Sequence, residues 1–253
     1  MRHIEINGVD LHYDIVGDGE PVLWVHGFFG AGSDWRYVFP EPPANLRLIA
    51  PDLRGHGAST NPSDEFSFRQ AAADLESLLD HLGIASVKAI GVSGGGIVLL
   101  HMATARPARL ESMVIVSAPP YFPLQARAVQ RQVSESTFGE AELGMMRMRH
   151  GEERWQQLLR HCRGLADSYD DVSFTPPSLS RVSARTLIVF GDDDPLYPVA
   201  LALELRAAIP ASHLWILPGA GHAPIFGPHA PAFVATALPF LQGAWPEAAR
   251  AMP

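Results

Sequence analysis

Six short apolar runs recur along the chain: "PVLWVHG", "LRLIAPD", "SVKAIGV", "LESMVIVSA", "RTLIVFG" and "HLWILPG". Each is nearly continuous in branched aliphatic residues instead of alternating with polar ones, the pattern of a strand buried on both faces. Between several of them lie stretches with apolar residues three and four apart. The clearest passes through Phe68, Ala71, Ala72, Leu75, Leu78, Leu79 and Leu82 and stops at Gly83. That spacing predicts an amphipathic helix with a glycine stop. Ser67 and Gln70 predict a capping box at its start. "GGIVLLHMATAR" predicts a helix halted by Pro107, "VALALELRAAI" another, and a last helix is expected near 230–242. Strands that alternate with helices form a mostly parallel sheet covered on both sides. The first residues differ. "RHIEINGVDLHYDIVG" alternates on either side of Asn7-Gly8, which predicts a tight hairpin at an antiparallel edge. The expected fold class is α/β, with a mostly parallel eight-stranded sheet.

The alternation stops after Pro119-Pro120. Residues 121–181 carry helical patterns without a clear strand, and "RHGEERWQQLLRHCRGLADSY" reads as one helix or two. The expected division is a core of 1–120 and 182–253 with a helical cap inserted at 121–181. The tail after Trp245 is expected to be loosely held.

Composition narrows the function classes. The net charge is −8, Lys88 is the only lysine, and no basic cluster suggests a nucleic-acid footprint. No apolar run approaches the ~18 residues of a membrane span. "MRHIEINGVD" has no charged segment leading into an apolar stretch, so it does not read as a signal peptide. A single cysteine, Cys162, excludes an internal disulfide. No H-E-x-x-H or C-x-x-C spacing points to a metal. The expectation is a cytoplasmic protein without cofactor or metal, acting on a small molecule, with a homodimer as one possible state.

The chemistry begins at Gly91-Val92-Ser93-Gly94-Gly95, a G-x-S-x-G pattern between a predicted strand and a predicted helix. A nucleophile on a sharp strand-to-helix turn is crowded, and glycine two residues to each side relieves the crowding. A serine hydroxyl needs a base, and the base needs a carboxylate to orient it. For this motif the histidine comes last in the chain. Only His222 and His229 follow the last predicted strand, and His222 lies in the loop just beyond it, whereas His229 sits by the last helix. The acid belongs to "GDDDPLYP", where Asp192, Asp193 and Asp194 are all candidates on physical grounds. Two backbone N–H groups must receive an oxyanion. Gly94 supplies one, and Phe28 in "VHGFFGAG" is the natural source of the other, with His26 beside it in a structural hydrogen bond.

In their order, "HGFFG", "DLRGHGAS", "GVSGGG", "GDDDPLYP" and "GAGHAP" resemble the α/β-hydrolase superfamily over nearly the whole chain. The resemblance implies that the acid is Asp194, three residues after Gly191, and that Arg54, Gly55 and Gly57 are mainly structural. It also narrows the activity. Relatives that open epoxides or cleave carbon–halogen bonds use an aspartate nucleophile, where this chain has Ser93. Phe28-Phe29 stands in place of the Trp and Pro often found in perhydrolases. A carboxylesterase-like activity is the least specialised reading left. Lactone, thioester or carbon–carbon hydrolysis with the same residues is the alternative, and a small-molecule receptor on the same fold is a reading of another class. Phe29, Tyr121, Met145 and Trp155 are expected to contact substrate, Cys162 to be a cap residue and not a second nucleophile, and Gly94 to leave room beside Ser93.

Overall fold

In the computed structural model, which describes residues 2–244, eight strands form one sheet in the order β1-β2-β4-β3-β5-β6-β7-β8. The expected loose tail lies outside the described residues. The strands are β1 (Arg2–Ile6), β2 (Val9–Val16), β3 (Glu20–Val25), β4 (Leu46–Pro51), β5 (Val87–Val92), β6 (Leu110–Val116), β7 (Arg185–Gly191) and β8 (Ser212–Leu217). From β4 to β8 every pairing is parallel, while β1–β2 and β2–β4 are antiparallel. Asn7 and Gly8 both have positive φ, 49° and 77°, as a type I′ hairpin requires.

Side-chain alternation explains why the strands carry unbroken apolar runs. In β6, Met113 and Ile115 enter one buried cluster, and Val114 and Val116 enter the other. Ile188 and Phe190 of β7 face the first side, Leu187 and Val189 the second. One layer is made by α1 (Phe68–His81), α2 (Gly94–Ala105) and, later in the chain, α7 (Val199–Ala208); α8 (Ala230–Leu241) packs on the opposite face. Ile97, Val98, Leu99 and Leu100 on α2 are all fully buried, so this helix is covered on all sides.

The capping box expected at α1 forms only in part. Ser67 Oγ accepts from the Gln70 N–H, but the Gln70 side chain turns away and accepts from Arg54 Nη1 at 2.6 Å. Asp171 takes over the helix start, receiving the Ser67 hydroxyl and the Phe68 N–H at 2.8 and 2.6 Å.

Between β6 and β7 lie α3 (Leu124–Gln132), α4 (Glu140–His150), α5 (Glu152–Leu165) and the short α6 (Pro176–Leu179). The stretch read as one helix or two is two, divided at Gly151 with φ 76°. Buried Arg127 of α3 ties the segment together by donating to the Phe122, Ala166 and Ser168 carbonyls. No helix among the described residues is long and apolar enough to cross a membrane.

Candidate active site

The parallel strands end on one side of the sheet, and the loops that follow β3, β5, β7 and β8 meet there, as expected for ligands on open α/β sheets. Ser93 follows β5 and caps α2 with φ 51° and ψ −114°, a region that side chains rarely adopt. Its neighbours show why. A Cβ on Gly91 would lie 2.6 Å from the Gly95 carbonyl oxygen, and one on Gly95 would lie 2.1 Å from that of Val25. Two carbonyls lock the turn: the Ser93 N–H donates to Val116 and the Ile97 N–H donates to Ser93 itself.

Ser93 Oγ is 2.9 Å from His222 Nε2, and His222 Nδ1 is 2.8 Å from Asp194 Oδ2. The other Asp194 oxygen accepts from the Leu196 and Tyr197 N–H groups at 2.8 and 3.1 Å. Burial opposes ionisation of this carboxyl, but the His222 hydrogen bond and charge and the two backbone donors outweigh it and hold Asp194 below its ordinary range. An ionised Asp194 requires the proton on His222 Nδ1, which leaves Nε2 free to accept from Ser93. Asp192 and Asp193 are exposed, and Asp192 instead accepts from the Gly219 N–H. Neither caps α7, whose N-cap is Pro198. His229 is the N-cap residue of α8 and takes no part. Ser117 supports the histidine loop through Oγ, which accepts the Ala223 N–H at 3.1 Å. Its sequence context, an ordinary strand end, gives no signal of this.

The Phe28 nitrogen stands beside Gly94, 3.2 Å from where a Gly94 Cβ would lie. Neither the Phe28 nor the Gly94 N–H has an acceptor among the described residues. Buried His26 forms the structural bonds expected of it: Nδ1 donates to the Gly27 carbonyl at 2.7 Å, and Nε2 accepts the Leu53 N–H at 2.9 Å. Arg54 pairs with Asp74 through two buried bonds of 2.7 and 2.8 Å, away from Ser93.

A cavity of about 180 Å³ opens on Ser93, Gly94 and His222. Its wall is mostly apolar and aromatic, with Phe28, Phe29, Phe68, Phe122 and Leu196, and α3 contributes Ala126, Val129 and Gln130. Of the four side chains expected at substrate, only Phe29 lines it. Tyr121 is directed outward, its hydroxyl donating to Glu204 at 3.0 Å. Met145 lies on a separate surface pocket with Met148 and Arg149. Trp155 is fully buried behind Phe29, 5.5 Å from its ring, with its indole N–H on Glu135. Large apolar residues were identifiable from sequence, but their directions on α4 and α5 were not. The room expected beside Gly94 is filled by Phe68, since a Gly94 Cβ would lie 2.9 Å from that ring.

The wall also holds two groups without an obvious signal in the sequence. Gln130 is buried with its Oε1 unpartnered. Tyr197 packs 5.3 Å from the His222 ring, and burial raises its phenol pKa. Cys162 also lines the cavity, and burial pushes its thiol up to about 12, so it stays protonated and unreactive. Among the described residues, the only group of three side chains close enough to share an ion is His3, Asp10 and His12. Cross-strand pairing of His3 with His12 assembles it on the β1–β2 hairpin, and Asp10 bonds to both rings at 2.8 and 3.3 Å.

Comparison with known proteins agrees with the fold. A family model described as "Alpha/beta hydrolase family" matches residues 22–237. Soluble epoxide hydrolase of Corynebacterium sp. (strain C12) is 36% identical over 115 residues, which span 46% of this chain and only 40% of that protein. "Serine hydrolase BPHL" of Mus musculus is 29% identical over 232 residues, 87% of this chain and 79% of the relative. Among solved structures, the enol-lactonase from Burkholderia xenovorans LB400 superposes with a TM-score of 0.79 at 21% identity, covering 95% of this chain and 100% of that one.

Proposed function

We propose that this chain, which belongs to the alpha/beta hydrolase family, cleaves carboxylic esters through an acyl-enzyme on Ser93. The observation that carries the reading is the continuous hydrogen-bonded line from Ser93 Oγ through both His222 nitrogens to buried Asp194. Ser93 Oγ attacks the ester carbonyl while His222 Nε2 takes its proton. The carbonyl oxygen, now negative, is received by the Phe28 and Gly94 N–H groups. Collapse expels the alcohol, protonated by His222. Water then enters, gives a proton to Nε2 and adds to the acyl carbon; the acyl–Oγ bond breaks, Nε2 returns the proton to Ser93 Oγ, and the acid leaves. The exposures suit this order: the His222 side chain is 25% exposed, within reach of water, while that of Asp194 is fully buried and keeps its orienting role.

Epoxide opening is not the reading taken, because the family resemblance implies an aspartate nucleophile for that chemistry and this chain has Ser93 at the turn. The reading is tested with a fluorophosphonate probe. Intact-mass and peptide analysis should place a single adduct on Ser93, and His222→Ala should abolish labelling at equal probe concentration. Labelling that survives His222→Ala at the wild-type rate would show that His222 is not the activating base.

A further inference from the structure

The two residues that end α4, Arg149 and His150, reach across to the loop after β3. His150 Nδ1 accepts the Gly57 N–H at 2.8 Å, so the proton of the neutral ring is on Nε2, which donates to the Phe29 carbonyl at 3.0 Å. Arg149 Nη1 donates to the same carbonyl at 3.2 Å, and Arg149 Nη2 is held 2.8 Å from Asp34. Phe29 itself has φ 67°, so this carbonyl belongs to a strained residue that needs outside support.

What lies beyond that carbonyl is a line of aligned peptide groups. The Phe29–Gly30 peptide is trans, so its N–H points opposite to its C=O. That Gly30 N–H donates to the Gly27 carbonyl at 2.9 Å. The Gly27–Phe28 peptide is also trans, so the Phe28 N–H points opposite to the Gly27 carbonyl and away from the bonds on it, and its nitrogen stands beside Gly94. The order is therefore His150 and Arg149, then Phe29 C=O, Gly30 N–H, Gly27 C=O and finally Phe28 N–H. Each bond in such a chain polarises the next in the same sense. Gly30 has to be glycine for this, since a Cβ there would lie 2.9 Å from the Gly27 oxygen and 2.6 Å from Asp34.

We propose that His150 and Arg149 are positioning residues of the oxyanion site. Through the two peptide units they fix and polarise the Phe28 N–H beside Ser93. The helical segment thus completes a hole whose donors lie in the core. This rests on the ester-hydrolase reading of Ser93.

The test compares wild type, His150→Leu and His150→Gln on p-nitrophenyl butyrate and on the matching thionoester, whose C=S accepts hydrogen bonds poorly. Gln keeps an N–H donor and Leu does not. His150→Leu should lower kcat about tenfold, less than the ~10²–10³ for losing an oxyanion donor outright, with KM within about twofold. The preference for ester over thionoester should shrink by a similar factor, and His150→Gln should restore both. Arg149→Lys, which keeps a charge facing Asp34, carries the test if His150→Leu does not fold. Unchanged kcat in folded His150→Leu, or in Arg149→Lys where His150→Leu does not fold, overturns the proposal. So does an equal loss on ester and thionoester that Gln does not rescue. Wild-type protein without turnover, or turnover kept in Ser93→Ala, would instead remove the underlying reading, and the proposal with it.

Discussion

Ser93 holds a backbone conformation that only its surroundings make tolerable, and the glycines around it are not equivalent. Gly91 and Gly95 make way for backbone carbonyls, whereas Gly96 lets α2 approach Ala118, whose Cβ would be 2.5 Å from an added Gly96 Cβ. Gly94 is confined by Phe68 on one side and the Phe28 nitrogen on the other. A methyl group there must displace one of them. Gly94→Ala should therefore lower kcat/KM for p-nitrophenyl butyrate by roughly tenfold, as partial loss of an oxyanion donor would. Adding Phe68→Leu should recover part of it, an interaction a double-mutant cycle reads directly. Full activity in Gly94→Ala would contradict the crowding. At this scale the sequence was informative wherever chemistry and chain order coincide: motif context singled out Ser93 and His222, which lie 2.9 Å apart, and nominated the Phe28 and Gly94 N–H groups, which lie beside them. Local character alone did not separate three adjacent aspartates; the family resemblance pointed to Asp194, and in the structure Asp194 alone turns inward to the histidine loop.

Among the elements, strands were the most legible. Most of the parallel strands are buried on both faces and leave an apolar signature that depends on no partner, while the alternation about Asn7-Gly8 marks the edge hairpin, and all eight lie where these patterns predict. Helices of the core follow the same logic through their spacing of three and four. The helical segment between β6 and β7 was legible as helix but not as a surface. Trp155 and Met145 carry the composition of a lining, yet one packs behind Phe29 and the other faces a different pocket. α3 was the element whose stripe reaches Ser93, through Ala126, Val129 and Gln130. Its amphipathic pattern predicts a buried face without saying what that face covers. Long-range polar contacts were equally hidden. Asp171 caps α1 from about a hundred residues away, and His150 supports Phe29 from a comparable distance. No local pattern marks either residue.

At the level of the whole molecule, five buried histidines govern the response to acid. Burial lowers the pKa of His26, His56, His101 and His161, and brings His150 down to about 4. In the unfolded chain each titrates near ~6.5. Between these values the unfolded state binds more protons, so stability is complete above about pH 6.5 and falls as the pH drops toward 4, by ~1.4 kcal/mol per pH unit for each proton taken up. Asp194, held low by His222, adds to the loss in more acidic solution, whereas Glu76, raised by burial, opposes it. Urea unfolding at pH 7.5, 6.5, 5.5 and 4.5 should show stability falling with an uptake of more than about two protons. Constant stability over that range would mean that the histidines are not buried as described. The same molecule brings together a strained serine, a histidine accessible to water and a shielded acid at the ends of its parallel strands, and ester cleavage turns on what that serine does. Its most direct test is steady-state turnover of p-nitrophenyl butyrate by wild type and Ser93→Ala, purified alike and melting alike. Wild type should make multiple turnovers, and the variant should lose at least about a thousandfold. Turnover in Ser93→Ala within tenfold of wild type would contradict it.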